Sequence, residues 1–91
     1  MLVLVVYDIP DDKRRTKLAT FLEGYGRRVQ YSVFECFMDL QSMQQLYTAL
    51  QKRVKADEDS VRLYWITRDT FGKALAMGQP PIQEPPGFYI I

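Results

Sequence analysis

The sequence predicts an α+β domain in the order β-α-β-β-α-β, an antiparallel sheet with both helices on one face. Three observations predict it. Residues 2–7 form a continuous apolar, largely β-branched run, too short for a helix and apolar on both pleat faces. Two later stretches carry apolar residues at i, i+3, i+4 and i+7, the spacing of a helix buried on one side. Between and after them lie segments in which side chains of opposite character alternate, as in half-buried strands.

Leu2 to Tyr7 is the first strand, and Asp8-Ile9-Pro10-Asp11-Asp12 breaks it. Asp11 or Asp12 is a natural N-cap for a helix starting there. The first helix is expected from Asp12 to Tyr25, with Leu18, Phe21, Leu22 and Tyr25 as its stripe and Gly24 and Gly26 as candidate C-caps. Arg27 to Asp39 reads as two short strands bent near residues 30–32. Val33, Glu35, Phe37 and Asp39 share one face; Phe34, Cys36, Met38 and Leu40 share the other. Ser42-x-x-Gln45 has the form of a capping box. The helix behind it has Met43, Leu46, Tyr47, Leu50 and Val54 as its stripe, with Lys52, Arg53 and Lys55 in its last turn, where cations suit the dipole. Asp57-Glu58-Asp59-Ser60 is an acidic turn. Val61, Leu63 and Trp65 then alternate with Arg62, Tyr64 and Ile66 in the last core strand.

One domain is expected over residues 1–91, with its core in about 1–68. Residues 69–77 read as a short helix. Residues 79–87, with Pro80, Pro81, Pro85 and Pro86, read as a stiff extended spacer, and Phe88 to Ile91 as an extra C-terminal strand. The layout is that of a ferredoxin-like sandwich. Its first strand is apolar on both faces although the helices cover only one, so the other face needs a cover, and a homodimer supplies it. The terminal strand is placed to pair with a partner's sheet edge.

Composition narrows the chemistry. The chain contains no histidine, which excludes Ser-His-Asp triads, Cys-His pairs and His-ligated metals. Its one cysteine, Cys36, excludes an intrachain disulfide and a Cys-rich zinc site, and reads as a buried thiol. Catalysis is left to carboxylates, Lys, Arg, Tyr, Ser or a metal held by oxygen. The net charge is only +1, but Lys13 to Arg28 holds six basic residues against one acid, a local basic patch. The apolar start lacks a basic flank and runs into Asp8, so neither a signal peptide nor a membrane span is expected, and the location expected is cytoplasmic.

Asp8 closes the apolar strand where the chain leaves the sheet. It serves either to cap the turn or to bind a cation. One carboxylate is a poor magnesium site, but a two-fold axis near the strand end brings two copies of Asp8 around one ion. Lys13-Arg14-Arg15-Thr16-Lys17 is either a solvated helix face or a phosphate clamp, to which Arg27 and Arg28 add charge. On pattern alone Ser32 is a turn serine and Phe34 a core residue. Tyr7, Tyr31, Tyr64 and Trp65 either stack on bases or fill the core or a dimer interface.

The pieces Val6-Tyr7-Asp8-Ile9-Pro10, Asp11-Asp12-Lys13-Arg14-Arg15-Thr16-Lys17, Arg28-Val29-Gln30-Tyr31-Ser32-Val33-Phe34-Glu35 and Asp57-Glu58-Asp59-Ser60-Val61-Arg62-Leu63-Tyr64 resemble the CRISPR-associated Cas2 family, the smaller of the two core spacer-acquisition proteins. The resemblance spans about the first three-quarters of the chain. It implies a ferredoxin-like homodimer whose C-terminal strand pairs with the partner, and Asp8 as ligand of a divalent metal at the dimer axis, Mg²⁺ or alternatively Mn²⁺. It implies a metal-dependent endonuclease on single-stranded RNA or double-stranded DNA, or a non-catalytic DNA-binding scaffold that bridges the Cas1 integrase. By the same resemblance Tyr7, Arg15, Arg28, Ser32 and Phe34 line the site around Asp8. Lys17 stands where other members can carry Arg, keeping the charge but not the fork. Arg14, Arg15, Lys17, Arg27 and Arg28 are the expected nucleic-acid contacts. Such a metal lowers the pKa of bound water, and Arg15 and Arg28 offset charge on the phosphates. An RNA-recognition module on the same fold ranks lower, because residues 32–37 lack the glycines of that class. A metal-free regulatory dimer has no residue that points to it.

Overall fold

The computed structural model describes residues 1–67 together with 77 and 78. The helix expected over 69–77, the spacer and the terminal strand, and with them the pairing of that strand to a partner, rest on residues outside this set. The described elements are β1 (Leu2–Asp8), α1 (Asp12–Glu23), β2 (Arg27–Gln30), β3 (Val33–Phe37), α2 (Leu40–Gln51) and β4 (Ser60–Ile66). They form one sheet in the order β2-β3-β1-β4 with every neighbouring pair antiparallel. This is the ferredoxin-like order the sequence predicts.

The alternation of β1 decides which face is which. Val3, Val5 and Tyr7 are at most 3% exposed and belong to the core. Leu18, Ala19 and Leu22 of α1 and Met43, Leu46 and Leu50 of α2 join the same cluster, with Phe34 and Cys36 of β3. Both helices therefore cover one face, and each fully buried leucine contributes roughly 1.5–3 kcal/mol. Burial pushes the Cys36 thiol up to about 11, which keeps it protonated and inert. On the opposite face Leu4 stands between Glu35 and Tyr64, and Val6 between Val33 and Arg62. Leu4 and Val6 are only half-buried there.

The helix ends differ from expectation by a turn or less. Asp11 is the N-cap of α1, its carboxylate accepting the Arg14 N–H at 2.8 Å. The helix stops at Glu23, and Tyr25 lies beyond it, 40% exposed. The cap of α2 is Asp39 rather than Ser42: its carboxylate accepts the Ser42 N–H at 2.8 Å, which holds that carboxyl below its usual range. With the cap three residues earlier, Ser42 becomes the third helical residue, whose orphan N–H the Asp39 carboxylate satisfies, and Ser42-x-x-Gln45 lies inside the helix. This helix ends at Gln51, so Lys52, Arg53 and Lys55 fall after its last turn. Arg53 instead lays its guanidinium 3.8 Å from the centroid of the Phe21 ring, joining the two helices.

Gly26 is required by close approach rather than by helix capping. A Cβ there would lie 2.2 Å from the Glu35 carbonyl oxygen and 2.6 Å from Cys36 Sγ. Gly26→Ala must push β3 away from the chain entering β2, an overpacking cost of about 1–3 kcal/mol. A lower urea midpoint is the expected reading; an unchanged midpoint would show that this edge yields freely.

Candidate functional site

Asp8 is exposed at the end of β1, and its neighbour across the sheet is Ser60. By strand alternation it shares the open face with Leu4 and Val6. Among the described residues its carboxylate makes no hydrogen bond or ion pair. The helix cap it might have supplied is supplied by Asp11.

Tyr7 faces the other way. It is 3% exposed, its N–H donates to the Ser32 carbonyl at 3.1 Å, and its hydroxyl donates to the Tyr31 carbonyl at 3.3 Å. Burial raises its phenol above the ordinary value, against the opposing pull of Arg28. Its ring stacks on Phe34, centroids 6.4 Å apart, and Phe34 is fully buried. Tyr7 and Phe34 are thus core residues on the helix side and do not line a site around Asp8. Ser32 holds the turn to β1 through its carbonyl.

The basic patch divides into parts with different duties. Arg14 is turned inward to the loop before β4. Its Nε and Nη2 donate to the two Asp59 oxygens at 2.6 and 2.9 Å, and Nη2 also donates to Glu58 at 2.9 Å. The Asp59 side chain is fully buried and also accepts the Lys55 N–H at 2.9 Å. This bidentate pair ties the first turn of α1 to the start of β4, so Arg14 is a structural arginine rather than a free phosphate contact. Arg27 lies on the open face opposite Glu35, and Lys17 is exposed beside a separate cleft with Arg14, Phe21 and Arg53.

The tie has a pH signature. The Arg14 fork holds the Asp59 carboxyl below its ordinary value of 3.8. A lowered folded-state pKa adds stability that is complete above the unfolded value and is lost as pH falls through the folded one. The native protein should therefore lose urea resistance below about pH 4, and Asp59→Asn should start lower at neutral pH and lose less on acidification. Urea midpoints falling in parallel for the two proteins would remove the tie from the account.

Arg15 and Arg28 come together with Tyr7 at one cleft of about 300 Å³ between α1 and the β2–β3 turn. Arg15 donates to the Ile9 carbonyl at 2.9 Å and pairs with Asp12, which raises its pKa. Its guanidinium carbon sits 5.7 Å from the Tyr31 ring centroid; that of Arg28 sits 6.0 Å from Tyr31 and 5.5 Å from Phe34. Thr16, Thr20 and Glu23 complete the wall. Sequence reasoning did not single out these three, although their i, i+4, i+7 spacing places them on one helix face beside the apolar stripe. The structure therefore assembles Tyr7, Arg15 and Arg28 on the helix side of the sheet and leaves Asp8 on the other.

Comparison with known proteins adds an independent line. The family described as "CRISPR associated protein Cas2" matches residues 1–74. A Synechocystis sp. protein named CRISPR-associated endoribonuclease Cas2 3 is 46% identical over 90 residues, covering 99% of this chain and 98% of that one. The crystal structure of a hypothetical protein from Thermus thermophilus superposes with a TM-score of 0.78 at 40% identity, covering 91% of this chain and 96% of that one. A chain of a partial Cas6-RT-Cas1–Cas2 complex superposes with a TM-score of 0.72 at 33% identity, covering 92% and 98%.

Proposed function

The chain belongs to the CRISPR-associated Cas2 family, and from that premise we propose that it is a metal-dependent endonuclease of CRISPR spacer acquisition, working as a homodimer with Cas1. Its substrates are single-stranded RNA, double-stranded DNA or both. The observation that carries the reading is Asp8: an exposed carboxylate without a partner among the described residues, at the end of a strand whose core is otherwise dry. The fold itself has little structural use for such a group. A relative named as an endoribonuclease and a solved complex containing both Cas1 and Cas2 support the same assignment.

The donor set fits a magnesium or manganese ion of the carboxylate-poor kind. Among the described residues no three His, Cys, Asp or Glu side chains cluster to enclose a metal. Mg²⁺ commonly takes only one or two carboxylates, its other positions going to water and substrate phosphate. One chain supplies Asp8, and a second copy supplies the second carboxylate. A bound ion would acidify a water and offset phosphoryl charge. The chain's own contribution at the ion is the charge of Asp8, while Arg15 and Arg28 hold nucleic acid on the other face of the sheet. The homodimer is supported by the open sheet face, where Leu4, Val6, Val33, Phe37 and Ile66 are half-buried rather than covered. No helix among the described residues is long and apolar enough to cross a membrane, and a cytoplasmic location goes with the substrates.

A scaffold reading competes, favoured by the solved complex in which Cas1 and Cas2 occur together. It needs DNA binding and the dimer but no chemistry at Asp8. Incubating the purified protein with labelled single-stranded RNA and double-stranded DNA, in Mg²⁺ or Mn²⁺ and then in EDTA, separates the two. Cleavage that EDTA abolishes supports the nuclease. Intact DNA binding with no cleavage in either metal transfers the assignment to the scaffold.

A further inference from the structure

The cleft on the helix side of the sheet is built for something other than Asp8 chemistry. Its outer wall is Tyr31, in the turn between β2 and β3. The ring is 66% exposed, yet its place is determined: the Arg15 and Arg28 guanidinium carbons lie 5.7 and 6.0 Å from its centroid, and the Tyr7 hydroxyl donates to its backbone carbonyl at 3.3 Å. An aromatic ring that filled a core would not be left two-thirds in water. An exposed ring held in place by cations is a stacking platform.

The charges beside it are selective. Arg28 rests on the buried Phe34 ring and has no ion pair among the described residues. Arg15 is oriented by the Ile9 carbonyl and Asp12. Glu23 contributes one carboxylate to the same wall and Asp12 is paired with Arg15, so Arg28 is the guanidinium of this wall left without an ion pair among the described residues. One uncommitted guanidinium suits the single negative charge of one phosphodiester and not the several charges of a triphosphate. The volume, about 300 Å³, is at the low end of small-ligand sites and suits a base with its phosphate. A duplex keeps its base faces stacked and offers nothing to the ring.

We propose that this cleft is a subsite for one unpaired nucleotide of a single-stranded nucleic acid, its base stacked on Tyr31 and its phosphodiester held by Arg28 and Arg15. Thr16 and Thr20 lie on the same wall and supply hydroxyls to the ribose or base edge. The inference rests on the proposed function only in taking nucleic acid as the ligand; it requires neither a metal nor Asp8, which lies on the opposite sheet face.

The test is fluorescence polarisation of a short labelled single-stranded RNA, and of the duplex of the same sequence, with EDTA present throughout. Tyr31→Ala should weaken single-strand binding by about 5- to 150-fold, the range for loss of one base–aromatic stack. Tyr31→Phe keeps the ring and should bind within about twofold of the native protein. Duplex binding should be the same for all three. Thermal melts of the variants establish that each is folded, as the exposure of Tyr31 leads one to expect. Native affinity in Tyr31→Ala, equal weakening of duplex binding, equal loss in Tyr31→Phe, or no single-strand binding by the native protein each overturns the subsite. A protein that cleaves nothing in Mg²⁺ but binds single strands through Tyr31 in EDTA would lose the nuclease assignment and keep this one.

Discussion

Replacing Asp8 by alanine is expected to lower metal-dependent cleavage by at least about 10²-fold, because loss of an outer partner of a metal ligand already costs about 10–100-fold and Asp8 is the proposed ligand itself. Folding should be unaffected. The carboxylate is exposed, has no partner among the described residues, and is not the cap of α1. Its strand pairing with Ser60 runs through the backbone, which alanine retains. Asp8→Asn sharpens the test: the shape is preserved and only the charge is lost, so the same fall in cleavage assigns the effect to charge. If two copies share one ion, the native protein should bind one Mn²⁺ per two chains, and the Asn variant should need far more metal for whatever activity remains. Thermal melts identical to native, alongside cleavage reduced in both variants, are the expected set. Full cleavage by either variant would move the chemistry away from Asp8 and leave the scaffold reading in possession.

Legibility in the sequence tracks the range of the interactions involved. The first strand is readable because six consecutive apolar residues admit one interpretation, a central strand covered on both faces. The helices are readable because their stripes are local patterns. The N-cap of α2 is displaced because two capping signals, Asp39 and Ser42, lie within three residues and the chain satisfies the earlier one. The Arg14–Asp59 fork is not legible at all. Its partners are 45 residues apart, and locally each reads as solvated: one in a run of helix-face cations, the other in an acidic turn. Tyr7 is a different case. It shares parity with Val3 and Val5, so alternation alone assigns it to the core, whereas the motif around Asp8 draws it toward the site. The geometry obeys the alternation. Tyr31 obeys it in reverse: an aromatic at the tip of the β2–β3 hairpin has no core within reach, so of the two roles the sequence allows it, base stacking or filling a core or dimer interface, the core is closed to it.

Phe34 puts this distinction to a quantitative test. If it is a site residue, its removal should abolish activity in a protein that remains folded. The structure predicts the reverse. Phe34 is fully buried at the centre of the sheet, paired across β1 with Val5, stacked on Tyr7, and overlaid by the Arg28 guanidinium at 5.5 Å. Phe34→Ala leaves a cavity that a sheet braced by two helices cannot close, and should cost about 3–5 kcal/mol. Native stabilities of domains are about 5–15 kcal/mol, and a chain of this size belongs near the lower end, so the variant should be substantially unfolded at physiological temperature. Phe34→Leu, which refills much of the volume, should recover most of that loss. Activity per folded molecule, measured at low temperature with the folded fraction read from the urea curve, should then be close to native in the leucine variant. A leucine variant with native urea midpoint and no cleavage would return the ring to the chemistry, through its contact with Arg28 and not through Asp8, from which strand alternation separates it.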